Sequence, residues 1–102
     1  MEPKTLNVTY GKPAQLLCTT DSSYPRGVEW EFSRNGPSSR LKICDATDVH
    51  PDVVGKYKCT NQLTTHELII NDAVFNDSGV YTCTEDGGRG RSNSAHLFVV
   101  GG

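Results

Sequence analysis

The chain has 102 residues, of which 35% are hydrophobic and 22% are charged, and this is enough for a single domain with one core, which we assign to residues 1–102. Ten Lys and Arg residues against twelve Asp and Glu residues give a net charge of −2, which excludes the basic surface of a typical nucleic-acid-binding protein. Its apolar runs are far shorter than the roughly 20 residues of a membrane-spanning helix, so we expect no membrane insertion by this segment.

Short apolar runs with a period of two, separated by clusters of turn-forming residues, predict an antiparallel all-β domain. In chain order the runs lie at residues 6–8, 14–18, 28–32, 41–43, 57–59, 68–70, 81–83 and 97–99. The third run alternates most clearly, because Val28 and Trp30 fall on one side of the strand and Glu29 falls on the other. The polar stretch at 45–54 is interpreted as a loop or a short edge strand.

The chain has four cysteines, and none of them lies in the C-x-x-C spacing of a zinc ribbon or a thiol redox site. Their even number and this spacing favour disulfides. Four cysteines allow three pairings, and the spacing alone does not choose among them. The cysteines are Cys18, Cys44, Cys59 and Cys83.

A known signature includes two of these cysteines. Trp30 follows Cys18 by twelve positions, and residues 77–83 read Asp-Ser-Gly-Val-Tyr-Thr-Cys. This order resembles the B-strand cysteine, the C-strand tryptophan and the D-x-G-x-Y-x-C motif of a variable-type (V-set) domain of the immunoglobulin superfamily. The resemblance covers nearly the whole chain. It implies an immunoglobulin-like β-sandwich of two antiparallel sheets with eight or nine strands, because residues 45–54 leave room for strands C′ and C″.

The resemblance implies a structural role for each residue of the signature. Cys18 and Cys83 are expected to bridge the two sheets, with Trp30 packed against the bridge. The hydroxyl group of Tyr81 is expected to return to the backbone at the preceding corner, and Gly79 permits a close turn there. These residues are therefore expected to build the core rather than to bind a ligand.

The resemblance also implies an ion pair and a second disulfide. Asp77 corresponds to the family carboxylate that pairs with an arginine, and Lys56 stands in the arginine position, where it acts as a point charge and forms a less rigid pair. Cys44 and Cys59 are left over, and a bridge between them closes a loop of 15 residues. We expect this bridge to rigidify a sheet edge; free thiols or an intermolecular disulfide are the alternatives.

Nothing in the chain has the spacing of a catalytic or metal site. The three histidines, His50, His66 and His96, are dispersed, and we interpret them as surface residues. No histidine partner accompanies a cysteine nucleophile, and the glycines at 87–90 do not open a phosphate-binding helix. We therefore expect no metal, no cofactor and no enzymatic activity.

Related V-set domains commonly contact a partner through the GFCC′ face, which is the outer surface of strands G, F, C and C′, and through the loops at one end of the sandwich. The resemblance places these loops at residues 19–27, 45–54 and 85–94. The last loop is rich in glycine, and a solvated hairpin without a partner is the alternative interpretation of it. The candidate ligand-binding residues are Tyr24, Arg26, Glu29, Glu31, Lys42, Glu85, Arg89 and Arg91.

The expected function is that of an extracellular ligand-recognition domain of a cell-surface immune-type or adhesion receptor, which binds a protein partner non-covalently through this face and these loops. A homodimer through the same face is left open. The alternative is a secreted V-type lectin-like protein that recognises carbohydrate or a microbial surface polymer. It is ranked lower because sugar sites usually present aromatic side chains, and Tyr24 is the only aromatic residue in the three loops.

The sequence of predicted strand G differs from that of one group of family members. Antigen-receptor variable domains carry an F-G-x-G bulge in that strand, whereas residues 94–98 of this chain read Ser-Ala-His-Leu-Phe. The departure predicts a non-rearranging domain, in which any dimer through the face has its own geometry.

Two N-glycosylation sequons are present, at Asn7 and at Asn76. Asn76 lies in a corner that is predicted to be exposed. Asn7 lies on a predicted edge strand and is accessible if its side chain points outward. Modification of either residue requires passage through the secretory route.

Overall fold

The computed structural model describes residues 4–19, 28–33, 40–45, 48–49, 55–62, 65–85 and 90–101. The candidate residues Tyr24, Arg26, Arg89 and His50 lie outside these ranges. Within them the chain forms a short 3-10 helix (Phe75–Asp77) and nine strands. The strands are β1 (Thr5–Thr9), β2 (Ala14–Thr19), β3 (Glu29–Ser33), β4 (Arg40–Asp45), β5 (Asp48–Val49), β6 (Tyr57–Gln62), β7 (Thr65–Ile70), β8 (Gly79–Thr84) and β9 (Ser92–Val100).

The strands form two sheets, as the sequence predicts. One sheet has six strands in the order β1-β9-β8-β3-β4-β5, and the other has three in the order β2-β7-β6. The two-residue strand β5 lies in the stretch 45–54 that was expected to supply an edge strand. One pair departs from the antiparallel expectation, because β1 runs parallel to β9. This pairing is possible because β1 leaves its sheet and continues into β2 of the other sheet, so no hairpin has to join it to β9.

The core lies between the sheets and is built by the predicted alternation. In β2 the inward residues Ala14, Leu16 and Cys18 are buried, whereas Gln15 and Thr19 are exposed. The strands opposite repeat this pattern, so that the inner side chains of both sheets interdigitate. Each fully buried leucine or isoleucine contributes about 1.5–3 kcal/mol to folding.

A β-bulge between β3 and β4 changes the alternation at the sheet edge. Trp30 pairs with Cys44, but Glu31 pairs with Lys42, so Ile43 is an extra residue in β4. As a result the consecutive residues Ile43 and Cys44 are both buried. A regular strand would place them on opposite faces, so the bulge is what directs Cys44 towards the other sheet.

His66 is buried, so the interpretation of all three histidines as surface residues is wrong for this one. Its side chain is 1% exposed, because it lies on the same inward face of β7 as Leu68 and Ile70. Burial lowers the pKa of His66, and the negative charge of Glu85 opposes this shift. The sequence contained the signal, since His66 continues the alternation of Leu68 and Ile70 by one more position.

Candidate functional site

Both predicted disulfides are present, and they join the two sheets. Cys18 on β2 is bonded to Cys83 on β8, with the Cα atoms 6.4 Å apart. Trp30 is fully buried and lies directly across from Cys83 in the β3–β8 pair, which confirms its predicted place beside the bridge. Cys44 on β4 is bonded to Cys59 on β6, with the Cα atoms 6.8 Å apart. The second bridge therefore ties the β4 side of the large sheet to the edge strand of the small sheet.

The ion pair at the corner before β8 is confirmed as well. Lys56 Nζ lies 2.7 Å from Asp77 Oδ2, and the same carboxylate oxygen accepts a hydrogen bond of 2.8 Å from the backbone N–H of Val74. The hydroxyl group of Tyr81 donates to the backbone carbonyl of Asp77 at 2.8 Å. Lys56 Nζ also donates to the carbonyl of Asp72 at 3.1 Å. These contacts satisfy the polar groups of a corner in which Asp77 is only 7% exposed.

Gly79 is required at the start of β8 for two reasons. Its φ is +154°, a conformation that residues with a side chain rarely adopt. In addition, a Cβ atom at this position would lie 2.6 Å from Cε1 of Phe32 and 2.8 Å from the carbonyl oxygen of Ser33. The glycine therefore lets β8 approach β3 closely, and it has a structural role, as predicted.

The GFCC′ face is formed here by the outward side chains of β9, β8, β3 and β4. The structure brings the three predicted charged residues of β3 and β4 together: Glu31 pairs with Lys42 in the register, and Lys42 Nζ lies 3.8 Å from Oε1 of Glu29. Their accessibility differs, because the side chain of Lys42 is 52% exposed and that of Glu29 only 12%. Lys42 is therefore better placed than Glu29 to contact a partner.

A ladder of hydroxyl groups continues this face across β8 and β9. Oγ1 of Thr82 lies 3.0 Å from Oγ of Ser94, and Oγ1 of Thr84 lies 3.0 Å from Oγ of Ser92. The charged groups on β3 and β4 are thus followed by neutral polar groups on β8 and β9. Thr84 is buried, so the accessible part of the ladder is formed by Thr82 and the two serines.

An aromatic pair on β9 completes the face, and the sequence analysis did not identify it. The rings of His96 and Phe98 are stacked, with centroids 4.3 Å apart and an angle of 15° between their planes. Phe98 is 40% exposed. The signal was available, because the inward positions of Leu97 and Val99 place their neighbours outward in a regular strand.

Glu85, a candidate ligand-binding residue at the start of the last loop, is buried. It is 6% exposed, since it continues the inward series of Tyr81 and Cys83 beyond the end of β8. Its backbone N–H donates to the carbonyl of Arg91, and its carbonyl accepts from the N–H of Gly90. Glu85 therefore helps to close the base of the loop, whereas Arg91 is exposed and keeps its predicted role as a ligand-binding candidate.

Both sequon asparagines have exposed side chains. Asn7 lies in the middle of the edge strand β1, and Asn76 lies in the short helix before β8. Their glycosylation stays a prediction.

Metal-binding clusters and membrane-spanning helices are absent from the described residues. No group of three or more His, Cys, Asp or Glu side chains in these ranges could hold a metal ion. No helix in the same ranges has the length and apolar character needed to cross a bilayer.

Comparison with known proteins gives two matches. Residues 1–100 match the family model described as the immunoglobulin V-set domain. A human protein described as "Probable non-functional immunoglobulin kappa variable 1D-42" is 25% identical over 84 residues, which are 82% of this chain and 72% of that protein. The chain is thus similar to an immunoglobulin variable sequence over most of its length.

Proposed function

Because the chain belongs to the immunoglobulin V-set family, we propose that it is the extracellular ligand-recognition domain of a cell-surface immune-type or adhesion receptor. It binds a protein partner non-covalently through the GFCC′ face and the adjoining end loops. Members of this family typically act as recognition modules, and two disulfides within 102 residues are typical of proteins that mature in an oxidising compartment.

The observation that carries the proposal is the chemistry of the GFCC′ face. Among the described residues it presents an exposed cation at Lys42, the carboxylate of Glu31, a row of hydroxyl groups and an aromatic pair. Such a mixture suits a protein surface of mixed polarity, where charges steer encounter and aromatic side chains supply contact area. This sheet has six described strands and the other sheet has three, so it offers the broader of the two outer surfaces.

The regularity of β9 supports a non-rearranging receptor. Over Gly79–Thr84 and Ser92–Leu97, the pairing of β8 with β9 is continuous and includes no bulge. In antigen-receptor variable domains the F-G-x-G bulge of this strand shapes the contact between two domains. A partner or a second copy of this chain therefore meets a straighter strand, and its docking geometry differs from that of an antibody pair.

The proposal is tested by cell binding of a multivalent form of the domain, since avidity raises a weak affinity to a measurable level. Lys42→Glu reverses an exposed charge on the GFCC′ face, and Lys58→Glu reverses an exposed charge on the other sheet. We expect Lys42→Glu to weaken saturable, protease-sensitive cell binding about tenfold, which corresponds to about 1.4 kcal/mol. The matched variant Lys58→Glu should bind as the unchanged domain does.

Two results would contradict the proposal. Equal losses for the two lysine variants would place the binding surface elsewhere. Binding that survives protease treatment of the cells, and that free glycans abolish, would favour the lectin-like alternative.

A further inference from the structure

We propose that Asn7 carries an N-linked glycan whose first N-acetylglucosamine packs on the stacked rings of His96 and Phe98. The inference requires passage through the secretory pathway and does not depend on the identity of the protein partner. It joins two features that are separate in the sequence and adjacent in the structure: the first sequon and the exposed aromatic pair.

The strand register brings the two features together. In the parallel pair of β1 and β9, Asn7 lies opposite Phe98, and Val8 lies opposite Val99. Paired residues of neighbouring strands are about 4.8 Å apart and project to the same side of the sheet. The valine pair packs towards the core, so Asn7 and Phe98 point together into solvent, as their exposure shows.

The acceptor is accessible on this edge. Among the described strands, β1 is an end strand of the six-stranded sheet and pairs with β9 alone. A sugar on Asn7 can therefore extend over β9 or away from the sheet without entering another strand. A glycan at this position also shields an unpaired strand edge, which is otherwise a site for unwanted pairing with other chains.

The aromatic pair gives the sugar a surface to contact. The rings of His96 and Phe98 are nearly parallel, at 15°, and they stack with their centroids 4.3 Å apart. One face of a pyranose ring consists of C–H groups, and these carry a small positive charge that matches the negative face of an aromatic ring. Because Phe98 is 40% exposed, covering its ring removes apolar surface from water.

The glycan divides the GFCC′ face into two parts. It covers the part of β9 that contains His96 and Phe98, next to β1, and it leaves Glu31 on β3 and Lys42 on β4 uncovered. If the proposed function holds, the protein partner docks on the β3–β4 side and the end loops. A homodimer that buries Phe98 is then incompatible with the glycosylated form.

The test uses the full chain secreted from eukaryotic cells, with Asn76→Gln included so that Asn7 is the only acceptor. Glycopeptide mass spectrometry measures the occupancy of Asn7, and endoglycosidase trimming leaves one N-acetylglucosamine. Thr9→Ser preserves the sequon and Thr9→Ala destroys it, so this pair separates loss of the glycan from a change at Thr9. We expect the trimmed Thr9→Ser protein to melt about 4 °C above Thr9→Ala.

Phe98→Ala should abolish that difference in melting temperature between Thr9→Ser and Thr9→Ala. Phe75→Ala is the matched control, because Phe75 is also an exposed aromatic residue, at 58%, but contacts Tyr10 in a tilted arrangement instead. The difference should persist in the Phe75→Ala background. An unoccupied Asn7 would overturn the proposal, and so would a difference that Phe98→Ala leaves unchanged.

A spectroscopic measurement covers the case in which Phe98→Ala does not fold. In the trimmed glycoprotein, NMR should show the sugar protons on Asn7 shifted upfield by the ring currents, together with contacts to the Phe98 ring protons. Sugar resonances at the positions of a free glycopeptide would overturn the packing. Loss of cell binding has no part in either readout, so failure of this proposal and failure of the proposed function are distinguishable.

Discussion

The two ends of the sandwich are stabilised by different chemistry. The base end is a corner of hydrogen bonds and one ion pair, whereas the loop end combines a buried disulfide with two buried ionisable side chains, His66 and Glu85. The base end comprises residues 10–12, 55–56 and 71–79, and the loop end comprises residues 18–19, 65–66, 83–85 and 91–92. The comparison shows that the base end brings two opposite charges together at a partly exposed corner, while the loop end places two titratable side chains in the buried part of the sandwich.

The largest expected effect comes from the covalent link at the loop end. Replacing Cys18 and Cys83 with alanine removes a bridge that closes a loop of 65 residues, and the chain-entropy relation gives a loss of about 4 kcal/mol. Urea unfolding of the oxidised protein and of the double variant measures the difference. A loss below about 1 kcal/mol would contradict a dominant role of this disulfide in the stability of the domain.

A smaller loss is expected from the second disulfide. Replacing Cys44 and Cys59 with alanine opens a loop of 15 residues, which corresponds to about 3 kcal/mol. Because the bridge holds the β4 side of the large sheet, hydrogen exchange should accelerate in β4 and β5 more than in β8 and β9. Uniform acceleration over all four strands would contradict a local role at the edge.

The base end is tested by its ion pair. Lys56→Met removes the cation beside the carboxylate of Asp77, which is 7% exposed, and leaves it the hydrogen bond from the Val74 N–H. We expect a loss of about 1–2 kcal/mol in the free energy of unfolding, since the side chain of Lys56 is itself 30% exposed. Lys56→Arg keeps the charge and should restore most of the stability in the same urea titration. If Met and Arg at this position are equally stable, the charge of Lys56 does not stabilise the corner.

The sequence was more informative about the base end than about the loop end, for a physical reason. The base corner is specified by residues close together in a short motif, so Asp77 and Tyr81 could be assigned from spacing and resemblance. His66 and Glu85 are buried because the inward alternation of their strands continues one position past the last apolar residue. Since histidine and glutamate are polar and such residues are mostly exposed, their residue types did not predict this burial. The bulge at Ile43 depends on the pairing of two strands and has no local signature.

The exposed pair of His96 and Phe98 shows a second limit. Alternation along β9 places both side chains outward, but their position beside Asn7 follows from the parallel pairing of β1 with β9. Strand order between distant segments cannot be derived from the period of either one. The first sequon could therefore be found in the sequence, and its aromatic neighbour could not.

The smallest expected effect is a pH dependence that arises at the loop end. Burial lowers the pKa of His66 from its ordinary value of 6.5, so the unfolded chain takes up a proton at a higher pH than the folded chain does. The contribution of neutral His66 to the free energy of unfolding is fully present above about pH 6.5. It is lost as the pH falls towards the pKa of His66 in the folded state. His66→Gln, which cannot titrate, should flatten this part of the stability profile.

Urea titrations between about pH 5.5 and 7.5 measure the profile, because histidine titrates in this range and most carboxylates do not. Glu85→Gln removes the negative charge that raises the pKa of His66, so the loss should extend to lower pH. A slope that persists in His66→Gln would place the titrating group elsewhere, and the loop end would then differ from the base end in its disulfide but not in its response to pH.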